Sequence, residues 1–178
     1  LFVHKGNSAN AQQIDKHVVF LQPCEVRPGY DCSFWLVVEK LMKKAAKDLN
    51  INFQVKYSGG NHFSSLRKMK EISQMEIKPD LVIWPMFEGN MPVKTLELLE
   101  SAQIKSVLVV NSLTHEQRAQ IGYPGQKYKY WVGHIYADNT DAGQNLAAHL
   151  VAYHQSLNLK SNKPLNMVGL AGKYKNSD

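Results

Sequence analysis

The side chains best suited to chemistry in this 178-residue chain crowd one short segment, where Glu25, Arg27, Tyr30, Asp31, Ser33, Phe34 and Trp35 follow a strand-like run. Aromatic rings pack on C–H faces, and planar carboxylate and guanidinium groups bond to hydroxyls, so the mixture suits capture of a neutral, hydroxyl-rich molecule. Further groups could join them: Glu88, in a loop with Phe87 and Asn90, and Asn111 and Asp138, each at the end of another apolar run. Each has a plainer reading. Phe34 and Trp35 open a helical segment and could be core packing. Asp31 and Asp138 could each cap a helix. Asn111 could close a turn, and Arg27 and Glu88 could be solvated loop charges.

Catalytic patterns find less support. The residues after the first strand-like run carry no G-x-G-x-x-G, and Gly169-Leu170-Ala171-Gly172-Lys173-Tyr174 lacks both the phosphate-loop spacing and the hydroxyl after lysine. There is no G-x-S-x-G elbow and no H-E-x-x-H, and the seven histidines are scattered. Asp80 precedes the third strand-like run, where a phospho-acceptor would follow it. The expectation is therefore a non-catalytic chain with no cofactor and no metal. Cys24 and Cys32 are too few for a structural zinc site and near enough for a disulfide, with free buried thiols as the other reading.

The elements that must position these groups alternate in type. His17–Leu21 is strand-like, and Phe34, Val37, Val38, Leu41, Met42, Ala45 and Leu49 trace a helical stripe after it. Ile51–Tyr57 alternates with period two and leads, past Gly59-Gly60, to a helix carrying Phe63, Leu66, Met69 and Ile72. Leu81–Met86 is a buried-strand pattern, Pro92 opens a helix bearing Val93, Leu96, Leu98 and Leu99, and Ser106–Asn111 is a fourth strand. Residues 112–130 hold a short helical piece and an excursion. Trp131–Ile135 is a fifth strand, and Leu165–Gly172 is predicted to be a sixth. Such alternation calls for an α/β fold, a doubly wound and mostly parallel sheet joined by right-handed crossovers, with ligands beyond the carboxyl ends of the strands.

The segment Tyr136-Ala137-Asp138-Asn139-Thr140-Asp141-Ala142-Gly143 resembles the "DNxxAG" strand-to-helix turn of type I periplasmic binding proteins and of regulators of the lac repressor type. The loop from Gln22-Pro23 to Phe34-Trp35 and the order of elements extend the likeness from His17 onward. It implies strand order 2-1-3-4-5 and an amino-terminal lobe over residues 17–178, with residues 1–16 an extension or leader remnant. It also implies a second lobe that closes over a sugar-like ligand, and a monomer in the periplasm. The partner would be a membrane ABC permease or, alternatively, a sensor kinase. Trp35 and Asn111 are similar to positions of the autoinducer-2-binding subgroup. Carried over, Phe34 and Trp35 would stack on the ligand, while Asn111 and Asp138 would hydrogen-bond it, with Glu25, Arg27 and Glu88 as outer candidates. Trp35→Ala is then expected to weaken binding about tenfold without unfolding the chain. Trp84-Pro85-Met86-Phe87-Glu88 stands where ribose-type binders carry an aspartate, which argues against a pentose or simple hexose.

Composition agrees with a single lobe. Hydrophobic residues make up 44% of the chain, enough for one core. The net charge of +6 is spread over helices, as at Lys40, Lys43, Lys44 and Lys47, instead of forming a nucleic-acid groove. No run approaches the roughly 18 apolar residues that cross a bilayer. Ala9-Asn10-Ala11 has the small-x-small form of a leader cleavage site, without the apolar core that should precede it.

Overall fold

The computed structural model describes residues 16–24, 31–59, 61–85 and 91–157. They fall into two units that divide between Ala137 and Asp138. The first holds β1 (His17–Gln22), α1 (Ser33–Asp48), β2 (Asn52–Tyr57), α2 (His62–Ser73), β3 (Leu81–Pro85), α3 (Met91–Ser101), β4 (Lys105–Val110), α4 (His115–Ile121) and β5 (Trp131–Tyr136). The second holds α5 (Asn139–Ser156). The expected sixth strand, 165–172, lies outside the described residues.

All strand pairs are parallel, as the alternation calls for, and the order is β2-β1-β3-β4-β5, as the resemblance implies. Because β1 lies between β2 and β3, the chain reverses its winding there, and the carboxyl ends of β1 and β3 face the crevice where such sheets take ligands. Register assigns the two faces. Val19, Leu21, Val82, Trp84, Leu108 and Trp131 share one with Met69 and Ile72 of α2, Leu96 and Leu99 of α3, and Ile121 of α4. This is the main core, and each fully buried large side chain in it contributes about 1.5–3 kcal/mol. Phe20, Val55, Ile83 and Val107 point to the opposite face, where Trp35 of α1 meets Phe20. Helices thus cover both faces.

Helix starts follow local chemistry. The Asn61 side chain accepts from the Ser64 N–H ahead of α2, and Thr114 and Gln117 form a reciprocal capping box ahead of α4. Gly122, at φ +74°, ends α4 in a conformation that a side chain would strain. At the amino edge of the sheet the Asp80 carboxylate accepts from Lys16 Nζ and from the His17 N–H, both at 2.9 Å, and so fastens the start of β3 to the start of β1. Glu100 of α3 does the same for the approach to β5, accepting the N–H groups of Lys129 (3.0 Å) and Tyr130 (2.9 Å).

The α1 stripe turns out differently from the sequence expectation. Phe34, Val37, Leu41 and Leu49 are exposed, and the buried residues of α1 are Glu39 and Ala46. The cause is polar: Glu39 reaches the ends of β1 and β2, and its hydrogen bonds turn the Trp35–Met42 edge to the sheet. Phe63 of α2, expected on the inner stripe, is likewise exposed.

Candidate functional site

At the carboxyl end of β1 the chain makes a buried polar junction. Gln22 is fully buried; its Nε2 donates to Glu39 Oε2 at 2.5 Å and its Oε1 accepts from the Cys24 N–H at 3.2 Å. Glu39 also accepts from Lys43 Nζ at 2.5 Å and from the Tyr57 hydroxyl at 3.1 Å. Burial pushes the Glu39 carboxyl up, but the hydrogen bonds from Lys43, Tyr57 and Gln22 and the Lys43 charge outweigh it and hold the group below the usual carboxylate range. One α1 carboxylate therefore joins the ends of β1 and β2 and, through the Gln22 amide, fixes where the next loop departs.

That loop is closed by a disulfide between Cys24 and Cys32, with Cα atoms 5.7 Å apart. Residues 25–30, including Glu25 and Arg27, and residues 86–90, including Glu88, lie outside the described residues. The N-cap position of α1 falls to Cys32 and not to Asp31; from one residue further out the Asp31 Oδ1 accepts from the N–H of Ser33, the first residue of α1, at 2.9 Å, and the bond holds its pKa below the usual value. Phe34 is 56% exposed and meets Trp35 edge to face at 5.0 Å. Trp35 is half-buried, with its ring 6.2 Å from that of Phe20. Of the two aromatics Phe34 presents the open surface, while Trp35 also carries packing, so its removal costs stability as well as any ligand contact.

The end of β4 is unusual. Val110 sits at φ +81°, and the Asn111 N–H donates to the Val109 carbonyl at 3.2 Å. This is a γ-turn of the rarer, strained hand, on a β-branched residue that costs of order 1–3 kcal/mol to hold there. The turn leaves Asn111 exposed at the carboxyl edge. Its carbonyl meets His134 Nε2 of β5 at 2.9 Å, and His134 Nδ1 meets Arg118 of α4 at 3.0 Å. The register explains how His134 arrives there. Ser106 pairs with Trp131 but Val107 with Gly133, so Val132 is an extra residue and Trp131 and His134 come to share a face, rings 6.0 Å apart.

In the second unit Asp138 is the N-cap of α5, its Oδ1 accepting from Thr140 (3.1 Å) and Asp141 (3.0 Å). The capping reading thus accounts for the carboxylate oxygen that is engaged.

Among the described residues Glu39, His134 and Arg118 are the polar groups that sequence reasoning passed over. Glu39 sat unremarked beside an apolar stripe, and His134 was counted only among scattered histidines. Neither had a spacing signal; Gly133 inside a strand pattern was the one hint of the irregularity that re-aims His134. No group of three or more metal-ligating side chains occurs among the described residues. A groove of about 580 Å³ runs between α2 and α3, lined by Phe63, Leu66, Arg67, Lys94 and Leu98 among others. It flanks the helices and shares no residue with the carboxyl edge, so its depth says nothing for the site there.

A parallel 2-1-3-4-5 sheet with helices on both faces, ending in an aromatic and amide-bearing carboxyl edge, defines the fold of a lobe of type I periplasmic sugar-binding proteins. No protein-family model and no curated protein matches the chain. Among solved structures it is similar to a periplasmic sugar-binding protein from Pseudomonas fluorescens, at 27% identity over 71% of this chain and 33% of that one, with TM-score 0.55. It is also similar to an ABC sugar transporter subunit from Rhodobacter sphaeroides 2.4.1 (14% identity, 76% and 41% covered, TM-score 0.53). A third is the periplasmic binding protein component of the arabinose ABC transporter from Shewanella sp. ANA-3, bound to α- and β-L-arabinofuranose (16% identity, 78% and 40% covered, TM-score 0.55). The matched region spans 33–41% of the length of these proteins.

Proposed function

We propose that this chain is the amino-terminal lobe of an extracytoplasmic solute-binding protein that captures a sugar or sugar-like molecule and delivers it to a membrane ABC permease. The observation that carries the reading is the 2-1-3-4-5 sheet shared with periplasmic sugar-binding proteins, at 27% identity in one case. Phe34 supplies an open aromatic surface and Asn111 an exposed amide on a fixed turn; together they form one wall of a site whose other wall belongs to a second lobe. The chemistry is binding alone: ring faces shed water onto C–H surface, the amide orients hydroxyls, and lobe closure buries the ligand. Trp35, packed on Phe20, holds the Phe34 end of α1 in place. The likeness to the autoinducer-2 subgroup rests on Trp35 and Asn111.

The test is a thermal-shift and calorimetric panel on the two-lobe protein with L-arabinose, D-ribose, D-galactose, polyols, sugar phosphates and autoinducer-2. A ligand at about 100 times its dissociation constant adds about 2.7 kcal/mol to stability. A shift with one sugar class supports the reading, and a shift with autoinducer-2 alone favours a signalling role. Silence across every sugar and polyol would remove the transport assignment.

A further inference from the structure

We infer that His134 and Arg118 are positioning residues for Asn111: the imidazole holds the Asn111 carbonyl, the guanidinium holds the imidazole, and the strained turn at Val110 stays in place as a result. The inference rests on the reading of Asn111 as a ligand contact only for its functional consequence; the positioning is a property of the sugar-free chain.

The donor and acceptor chemistry admits a single arrangement. A guanidinium has no acceptor, so Arg118, 3.0 Å from Nδ1, must donate to a bare Nδ1 lone pair. A carbonyl has no proton, so Nε2, 2.9 Å from the Asn111 oxygen, must carry the hydrogen. Both bonds select the same neutral tautomer, and each reinforces the other. Arg118 is itself held, donating to the Gly122 carbonyl at 3.0 Å and lying over the rings of Tyr123 (4.6 Å) and Trp131 (5.9 Å). The residues that face His134 are Arg118 from α4, Asn111 from β4, and Trp131 and Tyr136 from its own strand, with the Tyr136 ring 4.4 Å away. Arg118 is the charge that bears on it. The extra residue at Val132 brings His134 onto this face; in an unbroken alternation it would lie opposite Trp131.

Protonation breaks the Arg118 half of the arrangement. A proton on Nδ1 removes the acceptor that Arg118 needs and sets two cations side by side. Burial holds the His134 pKa below its usual 6.5, helped by the Arg118 charge and opposed by the Asn111 carbonyl, so the neutral form persists to mildly acid pH. Below that point Nε2–H still reaches the Asn111 carbonyl, but the imidazole has lost the Arg118 bond that fixes its place, and Asn111 loses that brace.

The experiment follows the imidazole nitrogens of His134 and the amides of Val110 and Asn111 by NMR across a pH titration of the sugar-free 178-residue chain. The expected result is an Nε2–H tautomer titrating below 6.5, with the Asn111 amide moving at the same midpoint. His134→Gln, whose amide can both donate and accept, should leave the Asn111 resonance near its place, whereas His134→Leu should displace it. Loss of the His134 hydrogen bond should weaken sugar binding about fivefold, read by calorimetry with L-arabinose, D-ribose and D-galactose in wild type, His134→Leu and Asn111→Ala. An Asn111 amide that ignores both the titration and His134→Leu overturns the inference. Asn111→Ala binding as tightly as wild type, or no binding of these sugars at all, counts against the proposed site instead, and the amide titration still decides the positioning.

Discussion

Replacing Glu39 by alanine tests whether a single carboxylate organises the ligand-side end of the sheet. Glu39 is 7% exposed and receives hydrogen bonds from Gln22, Lys43 and Tyr57. Its partners will not suffer equally. Lys43 is more than half exposed and Tyr57 is 41% exposed, so both can turn to water, and the Lys43 pair is worth at most about 1 kcal/mol. Gln22 is 0% exposed and has nowhere to turn. Leaving its amide hydrogens buried without an acceptor costs about 1–3 kcal/mol, and the lost bond to a charged group another 1.5–3 kcal/mol before relaxation. We expect a total near 3 kcal/mol, which for a chain of this size lowers Tm by about 6–12 °C. The measurement is urea unfolding at constant m, comparing Glu39→Ala with Glu39→Leu in a Gln22→Leu background. The double change should recover most of the loss, because it removes donor and acceptor together. The pH dependence has a definite sign: a folded-state pKa below the unfolded value means stability that is full above about 4.5 and lost as pH falls through the folded value. A loss under about 1 kcal/mol in the alanine variant, or no recovery in the double variant, would sink the argument that Gln22 is the stranded partner.

Three further outcomes follow from the same geometry. Opening the Cys24–Cys32 bridge with reductant should cost about 2.5 kcal/mol by the loop-entropy estimate, seen as a lower urea midpoint that returns on reoxidation. Trp35→Ala should lose about 2 kcal/mol of stability because its ring packs on Phe20, whereas the open Phe34→Ala should lose under about 1 kcal/mol and, if it lines the site, cut sugar affinity by about tenfold. Asp138→Ala removes the acceptor for Thr140 and Asp141 and should reduce helicity of α5, at a cost of about 1 kcal/mol measured by circular dichroism on heating.

The parallel α/β class was legible because apolar runs and helical stripes alternate along most of the stretch from His17 to Tyr136, and β1 through β5 fall within a residue or two of their expected bounds, while the strand order came from the family resemblance. The capping reading of Asp138 was legible because a short acidic side chain before a helix serves its first free N–H groups, whereas at α1 the cap position falls to Cys32, one residue past Asp31. What was hidden is what pairs residues distant in sequence. Gln22, Glu39 and Tyr57 meet only after the sheet has formed, so the inward side of α1 could not be read from its apolar spacing. The extra residue at Val132 was hidden too, since strict alternation sends Trp131 and His134 to opposite faces. Nor does any local pattern announce a valine held at positive φ.

The placement of β1 between β2 and β3 bears on how the chain is made. Synthesis runs from the amino end, so β1, which is paired on both sides in the finished sheet, emerges before both of its partners. Until residue 81 has appeared, β1 can pair on one side only. Through that interval Val18, Val19, Phe20 and Leu21 form an uncapped apolar edge, the kind that joins neighbouring chains. A chain halted before β3 therefore leaves one side of β1 open, and the pairing of β3 with β1 is the step that closes it.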